Sequence, residues 1–74
     1  MVNGEKPVKQ FRIGSIKASV WANEVRDSVF YNTTFENNYR TEDGEWRQSK
    51  GYSLVELGVL AQLASMAAHW IAEQ

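Results

Sequence analysis

The sequence predicts an α+β domain: a curved antiparallel sheet of about four strands followed by one long C-terminal helix, completed as a dimer. Three observations predict it. Val29, Tyr31, Thr33 and Phe35 alternate with Phe30, Asn32, Thr34 and Glu36 in the β-branched and aromatic pattern of a strand. Glu42-Asp43-Gly44 supplies reversal chemistry, with a glycine free to take a positive φ. The stretch from Ser53 to Gln74 contains no Lys or Arg and carries apolar residues at helical spacing.

Taken in order, residues 1–10 hold Gly4, Lys6, Pro7 and Lys9 among few apolar groups and read as a flexible arm, so the domain is expected over 11–74. Phe11 and Ile13 alternate with polar neighbours, but after Gly14 the apolar set moves to Ile16, Ala18 and Val20, a change of phase that predicts a bulge or bend at Gly14. Asn23 to Asp27 reads as a hairpin connection. A single strand from Val29 to Arg40 would be roughly 40 Å long, so strong curvature or a break is expected near Asn37 and Asn38. Glu45 to Lys50 should then return antiparallel. Ser53 followed by Glu56 at the third position is a capping box that opens the helix.

Along that helix Leu57, Leu60, Ala64, Ala67 and Ile71 form one apolar line and Val59, Leu63, Met66 and Trp70 a second. Gln62, Ser65, His69 and Glu73 make a narrow polar strip. Two apolar sides call for two coverings, the sheet and a second copy. A chain of 74 residues with no Cys usually needs such a partner for stability. Leu60, Leu63, Ala67 and Trp70 are the expected dimer seam. No membrane span is expected, because Glu56, Gln62, His69 and Glu73 interrupt the helix, and the lack of Cys and of a secretory leader points to cytoplasm, nucleoid or nucleus.

All eight basic residues, Lys6, Lys9, Arg12, Lys17, Arg26, Arg40, Arg47 and Lys50, precede the helix. A helix without cations is a poor reader of the major groove, so the sheet face opposite the helix is the expected place of function. If Ile16, Ala18 and Val20 point inward, Lys17 and Trp21 point outward with Phe30, Asn32 and Thr34. Aromatic rings, amides, hydroxyls and cations on one open sheet suit single-stranded nucleic acid. Which of Phe30 and Tyr31 is buried stays open in the pattern. The plainer alternative packs Trp21 against Phe30 and leaves the basics as ordinary surface charge, and the net charge of −1 weighs on that side. His69, the one histidine, has no companions at metal-ligand or triad spacing, so no metal, cofactor or enzymatic activity is expected.

Phe11-Arg12-Ile13-Gly14, the Tyr39 region, Asp43-Gly44-Glu45 and Lys50-Gly51-Tyr52-Ser53-Leu54 follow one another in an order and at distances that resemble the positive cofactor four family of single-stranded-DNA-binding transcriptional coactivators. The resemblance runs from Phe11 to about Leu63, with two or three extra residues between Trp21 and Tyr39. It implies dimerisation through the helices and adjoining strands, and sheets that bind single strands or melted duplex. It also places Lys50 at a basic position before the helix and Tyr39 near an aromatic position on the second long strand. Ser15, Ser49 and Glu36 depart from the family by standing at basic positions. The expectation is a non-enzymatic homodimer serving transcription, replication or recombination, which binds single-stranded DNA, melted duplex or RNA. Phosphates would meet Lys17, Arg40, Arg47 and Lys50, with polar help from Asn32 and Thr34. Bases would stack on Trp21, Phe30 and Tyr39. A protein-interaction dimer that has lost the cationic groove is the alternative. The expected groove requires Lys17 and Arg47 to share a face.

Overall fold

A computed structural model describes residues 6–74. Four strands, β1 (Lys9–Ile13), β2 (Ile16–Val25), β3 (Ser28–Arg40) and β4 (Trp46–Ser49), form one antiparallel sheet in the order β1-β2-β3-β4, and α1 (Leu54–Ala72) follows. The α+β class, the meander and the single C-terminal helix agree with the sequence pattern.

Each reversal has a local cause. Gly14 and Ser15 are a two-residue turn that brings Ile13 opposite Ile16, with Gly14 at φ +61°. The change of phase therefore marks the end of one strand and the start of the next, not a bulge within one. The sheet also begins earlier than expected: Lys9 and Gln10 belong to β1, and the Val8 amide donates to the Val20 carbonyl. Residues 1–5 of the expected arm lie outside the described residues. Asn23 to Val25 extend β2, so only Arg26 and Asp27 make the next turn, with Arg26 held at φ +56°. At the third reversal Gly44 takes φ +86°, and Thr41 pairs with Glu45 by a backbone bond of 2.8 Å.

β3 runs without a break through Asn37 and Asn38. Its length is usable because it changes neighbours instead of stopping. Residues 28–37 pair with β2 and residues 37–40 with β4, so Asn37 is paired on both sides. This side chain is buried and fully engaged, accepting from Ser15 Oγ at 2.6 Å and donating to Glu56 Oε2 at 3.0 Å. The Glu56 carboxylate also accepts the Ser53 amide at 2.8 Å, and the Glu56 amide donates to Ser53 Oγ. The capping box of α1 is thereby tied to β3 and to the Gly14-Ser15 turn.

α1 spans about 28 Å at 1.5 Å per residue and covers one sheet face. Ile16, Ala18 and Leu63 are the buried centre, with Phe11, Phe35, Tyr52, Val59, Leu60 and Met66 packed around them. Trp70 meets the edge of Tyr31 at 5.8 Å, which assigns Tyr31 to the covered face and Phe30 to the open one. By length and composition α1 is long and apolar enough to cross a membrane, contrary to the sequence expectation, because Glu56, Gln62 and His69, the interruptions that fall within it, are too few to lower its hydropathy. Here it lies along the sheet.

Candidate nucleic-acid interface

Directly paired residues of antiparallel strands point to the same side, so the register orders the uncovered face into rows. Asn23 pairs with Phe30, Trp21 with Asn32, Ser19 with both Gln10 and Thr34, and Lys17 with both Arg12 and Glu36. Beyond the β2 end of the sheet the rows continue as Asn38 with Gln48 and Arg40 with Trp46. Aromatic rings thus stand near both ends of β3, and cations stand between them.

The side chains are knitted across these rows. Trp21 reaches diagonally onto β3 and donates from Nε1 to Thr34 Oγ1 at 2.9 Å. Gln10 Nε2 donates to Ser19 Oγ at 3.3 Å. Arg12 and Lys17 are like charges placed opposite each other, an unfavourable pair that Glu36 offsets by meeting Lys17 Nζ at 3.1 Å. A shallow hollow of about 260 Å³ is lined by Gln10, Phe11, Arg12 and Lys17. Phe30 is 58% exposed and Trp46 66%.

At the far end, the Arg40 guanidinium lies 5.7 Å from the centre of the Trp46 ring, and its Nε donates to the Gly44 carbonyl at 3.3 Å. The reversal below it is self-bonded. Thr41 Oγ1 donates to Asp43 and accepts the Glu45 amide at 3.1 Å. That hydroxyl holds the Asp43 carboxyl below its ordinary pKa.

Of the residues expected to bind, Lys17, Trp21, Phe30, Asn32, Thr34 and Arg40 share this face. Tyr39 and Arg47 do not. They pair with each other, one step out of phase with Arg40 and Trp46, and so belong to the side that carries α1. The expected groove joining Lys17 to Arg47 is not formed, because alternation along an unbroken β3 places position 39 opposite to positions 36 and 40. Arg47 is also engaged by Glu45 at 3.1 Å. Lys50 is exposed in the connection after β4, belonging to neither strand face. Sequence reasoning passed over Arg12, Gln10, Asn38, Gln48 and Trp46. The signal for Trp46 was present: a reversal centred on Asp43 pairs residue 46 with Arg40.

The expected dimer seam is corrected as well. Leu63 and Ala67 are buried within the protomer, and Leu60 and Trp70 are half-buried on the same side of α1, against its own sheet. The exposed side of the helix is a different apolar line, Leu54, Leu57, Ala61, Ala64 and Ala68, with Val55 beside it. Between β1 and α1, on the covered side of the sheet, Lys9, Phe11, Met66, His69, Trp70 and Glu73 line a groove of about 370 Å³. Among the described residues no group of three or more His, Asp or Glu could hold a metal ion.

Comparison of the chain with protein-family models, with curated proteins and with solved structures gave no match.

Proposed function

We propose that the protein is a non-enzymatic, single-stranded nucleic-acid-binding homodimer, an accessory factor of the kind used in transcription, replication or recombination. One observation carries the reading. The face left uncovered by α1 combines Arg12, Lys17 and Arg40 with the rings of Trp21, Phe30 and Trp46 and with the amides and hydroxyls of Gln10, Asn32 and Thr34. Phosphates are met by Arg12 and Lys17 and by hydrogen-bond donors, while unstacked bases find aromatic surfaces that accept any base. A continuous duplex offers no such exposed bases, so single strands, melted duplex or RNA loops are the ligands that use the whole face. The resemblance to the positive cofactor four family supports the same ligand class, although the binding set proposed here differs from the one it implies.

The homodimer is supported by the exposed line on α1. Leu54, Leu57, Ala61, Ala64 and Ala68 recur at steps of three and four, the spacing of a helix-pairing seam, and three alanines allow two helices to approach closely. Pairing through this line leaves both open sheet faces free for ligand.

A second reading, a protein-interaction dimer without nucleic acid, is favoured by one feature, the neutralisation of Lys17 by Glu36 in the middle of the face. Titration of a labelled thymidine oligonucleotide at several salt concentrations separates the two. Binding whose affinity falls with salt, with a logarithmic slope of about −0.7 for each phosphate neutralised, supports the nucleic-acid reading. No binding at low salt leaves only the protein partner.

A further inference from the structure

Among the described residues, Trp46 is the aromatic ring of the open face against which a cation, Arg40, is packed. Trp21 is half-buried and its indole N–H is taken by Thr34. Trp46 is 66% exposed on a four-residue strand at the sheet edge, with no further strand beside it among the described residues. An indole left this open at a strand edge contributes little to the fold and invites association. Its position is nevertheless well defined. Arg40 is directly across from it and near its ring, Arg40 is bound in turn to the Gly44 carbonyl, and the reversal from Thr41 to Glu45 is closed by its own hydrogen bonds. The ring is therefore pre-organised without being buried.

The surrounding charge says what kind of ligand fits. Asp43 and Glu45 stand beside this pair, each already engaged, Asp43 by Thr41 and Glu45 by Arg47. A phosphate gains little here, since the single local cation on this face is already shared with the indole and a carbonyl. A neutral, flat, aromatic group is suited to the indole. The next row inward holds the amides Asn38 and Gln48, whose donors and acceptors can meet a base edge.

We propose that Trp46, backed by Arg40, is a stacking seat for one unpaired nucleobase, at the end of a track whose phosphates are held at the Arg12 and Lys17 row. The proposal rests on the nucleic-acid reading above and adds to it a defined terminus. The seat lies ten residues along β3 from Phe30, about 33 Å of extended chain, so a strand of several nucleotides must be present before it is filled. Short oligonucleotides occupy the central row alone.

The test uses the full chain labelled with 5-fluorotryptophan, which gives a separate fluorine resonance for each of Trp21, Trp46 and Trp70. On titration with a long thymidine oligonucleotide the Trp46 resonance should shift, and it should return toward the free position when abasic nucleotides replace the terminal bases. Trp46→Ala should weaken binding of the long oligonucleotide roughly tenfold, within the range expected for loss of one base stack. Trp46→Tyr should keep most of the affinity, and a far-ultraviolet spectrum checks that β4 is retained. The inference is overturned, with the nucleic-acid reading intact, if the long oligonucleotide binds with Trp46 unshifted and Trp46→Ala unchanged. If the unsubstituted chain binds no oligonucleotide at low salt, that reading fails and takes the seat with it.

Discussion

Lys17 and Glu36 face each other across β2 and β3, Nζ to Oε1 at 3.1 Å, in the one row of the open face that holds two cations. The pair is partly exposed, so its contribution to stability is small, on the order of 0.2–1 kcal/mol. Its effect on a polyanion is larger, because Glu36 both cancels a cation and repels phosphate. Glu36→Gln should raise affinity for single-stranded oligonucleotides about three- to tenfold at low salt and steepen the salt dependence by about 0.7 in logarithmic slope. Fluorescence anisotropy measures both. An unchanged slope would mean that Lys17 meets no phosphate.

The register separates two sets of basic residues. Arg12→Ala and Lys17→Ala should each weaken oligonucleotide binding about tenfold, whereas Arg47→Ala and Tyr39→Ala, on the covered side, should change it less than about twofold. The four variants measured side by side decide whether the open face is the binding face. Equal losses in all four would refute the assignment.

Leu63 and the exposed alanines of α1 should fail in different ways. Leu63→Ala removes fully buried volume from the protomer and should cost about 2–5 kcal/mol in chemical denaturation. Ala61→Glu or Ala64→Glu places a charge on the exposed helix line, leaves the protomer core intact and should shift the dimer toward monomer in light scattering. A monomeric starting protein, or a dimer indifferent to both glutamates, contradicts the seam.

Glu56 has a folded-state pKa below its ordinary value, first because the Ser53 amide donates to its carboxylate, then because of Asn37 and the Ser53 hydroxyl. A depressed carboxyl contributes stability that is complete above its unfolded pKa and is lost as pH falls through the folded one. Thermal unfolding followed from neutral pH down through about pH 4 and below should therefore show a loss of stability to which Glu56 contributes. Glu56→Gln should flatten that loss while lowering stability at neutral pH, since Gln has one acceptor where the carboxylate has two. Asp43, lowered by Thr41, adds a slope of the same sign, and Asp43→Asn isolates it. A Glu56→Gln profile parallel to the original would show that the carboxylate does not carry the acid sensitivity.

The parts of the fold legible in the sequence were those with a local chemical signature. Ser53 and Glu56 announced the helix, Gly44 the third reversal, and the alternation from Val29 to Glu36 the long strand. Gly14 misled because the residues flanking a two-residue turn pair directly, whereas the same residues in one continuous strand point to opposite sides. Parity again separated Tyr39 from its expected role, since a family-like spacing does not settle which side of a strand a residue takes. Trp46 was overlooked for want of a register, which residue pairing across the turn supplies. On α1 both apolar lines suited either covering. Only packing shows that the sheet takes the line holding Leu63 and Met66, whose larger side chains fill the space above Ile16 and Ala18.

Asn37 is where β3 leaves one neighbour for the other, and the groups that satisfy it come from a turn and from the helix cap. Phe30 and Trp46 lie on either side of that exchange. The geometry of the ligand-facing surface is thus set from behind: one amide, clasped on the hidden side, aligns the two hairpins whose outer rows would share a single strand of nucleic acid. A substitution at Asn37 touches no ligand, yet it alters how both ends of the track are presented to one.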